Sequence, residues 1–112
     1  MKYLNQKLVI ECLHELNDRQ LQERLWMAKD SSKQSSFVEA VEGLFTDSGL
    51  GDGLAVGKTG FSKEVESEIR KLEIQLSKVR SRDARAVIDD PAMQKVRDLA
   101  ASVLKLLNHK SE

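Results

Sequence analysis

The chain has 112 residues, 40% of them hydrophobic and 32% charged, and its 18 Lys+Arg balance 18 Asp+Glu to a formal net charge of zero. That length suits one domain and that apolar share excludes wholesale disorder, while neutrality argues against bulk binding to DNA or to an anionic membrane surface. Cys12, the single cysteine, leaves no internal disulfide and no cysteine-rich metal site and fits a reducing compartment, so a soluble cytoplasmic protein is expected.

At the N-terminus Leu8-Val9-Ile10 is cut short by Glu11, which is no signal-peptide core. No apolar run approaches the roughly 18–20 residues of a membrane span. Residues 5–17 read as a first helix, with Asn5 as its cap and Leu8, Val9, Cys12, Leu13 and Leu16 as its apolar stripe. Asn17-Asp18 interrupts it, and Asp18 caps a second helix over 19–29 that turns Leu21 and Leu25 inward.

Residues 35–49 read as a short helix with both ends written in. Ser36 caps the first turn with Glu39 three residues on. Phe37, Val41, Leu44 and Phe45 share a face, and Gly49 suits the left-handed position past the end, with Leu50 folding back on Phe45. Gly49, Gly51, Gly53, Gly57 and Gly60 then crowd into a stretch that reads as a folded loop.

Ser62 caps a long helix to about residue 85, in which Val65, Ile69, Leu72, Leu76 and Val79 repeat at 4-3-4-3 spacing. Glu66 with Arg70 and Glu68 with Lys71 are surface pairs of favourable sign. Asp90-Pro91 restarts the chain as a last helix to about residue 107, with Met93, Val96, Leu99 or Ala100, Val103 and Leu107 inward. The expected fold is all-α: one domain over 1–112, a compact bundle of about five helices, with short helices over 1–49, a glycine-rich central loop over 50–61 and an antiparallel helical hairpin over 62–108.

Few residues propose chemistry. Gly57-Lys58-Thr59 resembles the end of a phosphate-binding loop, but Asp52 stands where the first glycine belongs and no buried strand precedes it. Glu11 and His14 are spaced as a Glu-x-x-His metal pair, yet His109 is the only other histidine, so no metal and no cofactor is expected. Cys12 lies on the apolar stripe and His14, two residues on, faces elsewhere, which makes a buried thiol the better reading than a nucleophile. No catalytic set assembles, and the expectation is a protein that is not an enzyme. Lys78, Arg80, Arg82 and Arg85 form the densest basic cluster, interrupted by Asp83 and free of aromatic residues. Glu39, Glu42, Asp47 and Asp52 form the acidic counterpart, with Trp26 nearby as either an interface anchor or a core residue.

Arg24-Leu25-Trp26, Ser35-Ser36-Phe37-x-Glu39-Ala40, Leu44-Phe45-x-Asp47-Ser48-Gly49-Leu50 and Ile88-Asp89-Asp90-Pro91 with Val96-Arg97-x-Leu99-Ala100 together resemble small bacterial proteins of the toxin-immunity type. The resemblance runs from residue 24 onward. It implies a small, cytoplasmic, non-enzymatic protein with one inhibitory interface. Two functions are carried forward. The first is a protein-binding module that blocks a partner, a toxin on this resemblance, through Trp26, Glu39, Glu42, Asp47 and Asp52. The second is a small helical regulator that binds nucleic acid through Lys78, Arg80, Arg82 and Arg85. Monomer and homodimer both stay open, because the 65–79 seam has the heptad spacing of a self-pairing helix.

Overall fold

A computed structural model describes residues 4–27, 36–80 and 83–110, of which 109 and 110 by backbone only. Among the described residues it has seven α-helices, one π-helical stretch and no strand. The helices are α1 (Gln6–Asn17), α2 (Arg19–Trp26), α3 (Phe37–Glu42), α4 (Leu50–Val56), α5 (Lys63–Leu76), α6 (Ala84–Asp89) and α7 (Pro91–Lys110), and the π-helix Gly43–Asp47 follows α3 directly.

Most helix starts are set by one short side chain. Asn5 Oδ1 accepts from Leu8 N at 3.0 Å, Asp18 Oδ1 from Leu21 N at 3.1 Å, Ser36 Oγ from Glu39 N at 3.1 Å and Ser62 Oγ from Val65 N at 3.1 Å. Each removes an amide that the first helical turn leaves without a partner. Asp90 does the same for Ala92 N at 2.9 Å, beside a proline that has no amide to satisfy.

The long α5 and α7 pack against each other, and α1 covers α7 from another side. The seam buries Val65, Ile69, Leu72 and Leu76 from α5 against a core that includes Met93, Val96, Ala100 and Val103 from α7. Val9, Cys12, Leu13 and Leu16 of α1 join the same cluster, so one core runs from the beginning of the chain to its end. The radius of gyration is 13.7 Å, close to the value of about 13 Å for a compact 100-residue domain.

Four expectations are corrected. The glycine-rich stretch expected as a loop over 50–61 is irregular only from residue 57: Leu50–Val56 is α4. Its glycines are there for close approach, since a Cβ at Gly51 would stand 3.0 Å from the Phe45 carbonyl oxygen and one at Gly53 3.2 Å from the Lys58 oxygen. The 35–49 helix is split, because from Gly43 the turn widens and Ser48 N reaches back five residues to Gly43 O at 3.1 Å. Buried Ser48 holds this widened turn together: its hydroxyl donates to Leu44 O and accepts from Leu50 N at 3.1 Å, while its carbonyl accepts from Asn5 N at 2.7 Å. Gly49 takes the left-handed conformation expected of it, φ 84°, and opens α4.

The long helix expected to about residue 85 stops at Leu76. Ser77 Oγ donates back to Ile74 O at 2.6 Å, and Lys78 N and Val79 N bond to carbonyls three residues behind, which tightens the last turn. Asp83 then caps a separate helix, α6, through Ala86 N at 3.2 Å. Val79, the last residue of the expected seam, lies beyond the helix and is half-buried. The Glu66–Arg70 pair does not form either: Arg70 Nη2 donates to Leu54 O at 3.0 Å and the Glu66 carboxylate accepts from Thr59 Oγ1, whereas Lys71 Nζ meets Glu68 Oε1 at 2.9 Å as the spacing implied.

Candidate docking groove

The Gly57-Lys58-Thr59 motif resolves as architecture. Gly57 N bonds to Leu54 O at 3.2 Å and Lys58 N to Gly53 O at 2.8 Å, the paired bonds that close a helix C-terminus. These two amides are thereby consumed, and Thr59 Oγ1 is held by Glu66 and by Phe61 N at 3.0 Å. Glu11 and His14 are exposed on α1, and among the described residues no group of His, Cys, Asp and Glu could hold a metal ion.

Cys12 is buried, with burial pushing its thiol up to about 11 and Glu15, Glu11 and Asp47 adding to the rise. The neutral thiol is therefore what the fold accommodates. Between the ordinary value of 9.0 and about 11, the unfolded chain has lost a proton that the folded chain keeps. Folding stability attributable to this group accordingly falls as pH rises through that window, by roughly 2–3 kcal/mol at most. Urea titrations at pH 8.5 and 10.5 check this: C12A should show a shallower alkaline loss than the parent, and equal losses would remove the assignment.

Trp26 is 4% exposed, so of its two readings the core one holds. Its indole nitrogen donates to Glu15 Oε2 at 2.7 Å, and its ring meets Phe37 edge-on with centroids 5.8 Å apart. Trp26 thus pins α2 to α1 and backs the first residue of α3.

Beside Phe37, α3 and α5 border an apolar groove of about 460 Å³. Phe37, Val38, Val41 and Phe45 form one wall, and Leu76 and Ser77 form the other. Val38 stands at its lip with 60% of its surface exposed. Glu42 lies on the α3 lip and Glu73 on the α5 lip, both exposed. Neither carboxylate is engaged by a cation among the described residues, in contrast to Glu23, Glu68 and Asp89, each of which pairs with a Lys or Arg. Glu39 is also exposed on α3, one turn before Glu42. Of the other acidic residues, Asp47 is exposed on the π-helix and Asp52 on α4, and neither lines the groove.

The basic cluster is only partly free. Lys78 and Arg80 are exposed beyond the end of α5. Arg85 Nη1 lies 3.6 Å from Asp89 Oδ1 and 3.9 Å from Glu23 Oε1, in a network that Arg19 completes through Asp89 at 2.6 Å and Glu23 at 3.1 Å. Arg82 lies outside the described residues, as do Ser35, the end of the expected second helix and the side chain of His109.

Two residues to which sequence reasoning gave no role, Gln22 and Arg97, are buried where α1, α2, α6 and α7 meet. Gln22 is fully buried, and its Nε2 donates to Glu15 O at 3.0 Å and Leu16 O at 2.8 Å, carbonyls that the last turn of α1 leaves open. Its Oε1 accepts from Arg97 Nη1 at 2.8 Å, and Arg97 Nη2 reaches Ile88 O in the last turn of α6 at 3.2 Å. Burial pushes the Arg97 guanidinium below its ordinary value, with nearby Arg19 adding to the drop, and Asp98, Asp89 and Glu23 oppose it. The available signal was position: Arg97 sits four residues after Met93 and three before Ala100, within the stripe of α7.

Among the described residues no helix is long and apolar enough to cross a membrane. No protein-family model matches the chain, and no curated protein or solved structure is found similar to it.

Proposed function

We propose that the chain is a non-enzymatic protein-binding module that docks a basic partner on the acidic side of α3, in the manner of an immunity protein covering a toxin's active site. The groove between α3 and α5 carries this reading, because it offers exposed apolar surface between two carboxylates that no described cation neutralises. Val38, Val41 and Phe45 would supply burial, and Glu39, Glu42 and Glu73 would raise the encounter rate and penalise acidic competitors. Inhibition would then be steric and electrostatic blockade, with no bond made or broken.

The test is a tagged purification from the source cells with nuclease treatment, read by mass spectrometry. A protein partner in near-equal amount is expected, and it should be lost with the charge reversal E39K/E42K while the melting temperature hardly moves. The immunity reading adds that the partner alone arrests growth and that co-expression rescues it. Retention of the partner by E39K/E42K would remove this surface. Nucleic acid that disappears on nuclease treatment would replace the proposal with the regulator reading on Lys78, Arg80, Arg82 and Arg85.

A further inference from the structure

We infer that the occupant of the α3/α5 groove is a single amphipathic α-helix of the partner, with Lys or Arg along both edges of its apolar stripe. The inference rests on the docking reading above and adds the shape and charge pattern of the element that binds. Both walls are themselves helical: α3 with its π-helical continuation on one side, and the last turn of α5 on the other. A trough between two rods is filled best by a third rod, whose side chains at i, i+3 or i+4, and i+7 enter it. The wall from Phe37 to Phe45 is nine residues of helical chain, about 13 Å long, which matches two to three turns of a ligand helix.

An added strand is disfavoured because it needs an open sheet edge, and the described residues contain no strand. The charge pattern follows from the lips. With Glu42 on one and Glu73 on the other, a helix lying in the groove meets a carboxylate on each flank of its apolar face. Cations along one edge alone would leave the other glutamate unpaired beside the bound helix.

The molecule carries its own reporter, because Trp26 is the single tryptophan and touches Phe37, which lines the groove. The probes are three 14-residue peptides: Leu and Lys with Leu at helical spacing, the same composition with strict alternation, and Leu and Glu at helical spacing. Binding to the full chain is read by Trp26 fluorescence and by amide shifts. The helical Leu/Lys peptide should shift amides of Val38, Val41, Phe45 and Leu76. The exchange E42K/E73K, at two exposed positions, should weaken it at least tenfold and turn the preference toward the Leu/Glu peptide. Equal binding of the alternating peptide, shifts centred instead on the α1/α7 cleft at Ile10 and Leu104, or indifference to E42K/E73K would each overturn the inference. A natural partner released by E39K/E42K but cross-linked to the groove through a loop would also overturn the helix while leaving the docking reading intact. Failure of the docking reading itself looks different: the natural partner then ignores E39K/E42K.

Discussion

R97M should lower the free energy of unfolding by about 3 kcal/mol, measured by urea titration followed by circular dichroism. Arg97 is 6% exposed, and methionine keeps much of its length while removing its donors. Two acceptors lose their partners inside the core, Gln22 Oε1 at 2.8 Å and Ile88 O at 3.2 Å. Each costs about 1–3 kcal/mol when buried and unbonded. An opposing effect has to be weighed, because a buried cation is itself costly and its exchange for an apolar residue is sometimes neutral. Arg97 Nε makes no hydrogen bond, so part of that cost is present in the parent.

The orphaned acceptors win the comparison, since both belong to neighbours that remain and Gln22 is tied to the end of α1 through Glu15 O and Leu16 O. With total stabilities of about 5–15 kcal/mol, a 3 kcal/mol loss is a large fraction. R97K should fall between the two, because an ammonium cannot serve both acceptors with the fork of a guanidinium. A loss under about 1 kcal/mol for R97M would mean that desolvation of the charge cancels what its bonds return.

L72A should lose about 2–5 kcal/mol, and I74A, two residues away on the same helix, less than about 0.5 kcal/mol. Leu72 is fully buried on the face of α5 that meets α7, and truncation removes its transfer energy and leaves a cavity that two packed helices cannot close. Ile74 is 57% exposed, and it is not among the residues lining the groove. For a domain of this size, 3 kcal/mol corresponds to a melting temperature lower by roughly 10–20 °C, which calorimetry resolves easily. Similar losses for both variants would mean that the outer side of α5 is covered in solution, and sedimentation of the parent would show by how much.

Leu72 and Ile74 also mark what was legible in the sequence alone. The 4-3-4 spacing of Val65, Ile69, Leu72 and Leu76 states the buried face of α5 within the sequence itself, because a helix returns to the same side every three or four residues. Cap residues are similarly local: Asn5, Asp18, Ser36 and Ser62 each bond an amide three positions ahead, so no distant residue is needed to read them. These signals determined that the described residues form helices and no strand, where most helices begin, and which residues of α1, α5 and α7 make the core.

Tertiary structure alone decided the rest, for one physical reason: the contacts concerned join residues far apart in the chain or too close in space to be inferred. Gly53 admits α4 because a backbone oxygen and a threonine methyl lie just over 3 Å from its missing Cβ, and nothing in a run of glycines reveals that crowding. The expected Glu66–Arg70 pair gave way to Thr59 and Leu54, partners supplied by the turn of the chain and by α4. Gln22 and Arg97 are 75 positions apart, and only packing turns them into one capping network. The groove is of the same kind: Phe37 to Phe45 and Glu73 to Ser77 are ordinary amphipathic surface by themselves, and they border one groove because α1 holds α3 and α7 holds α5.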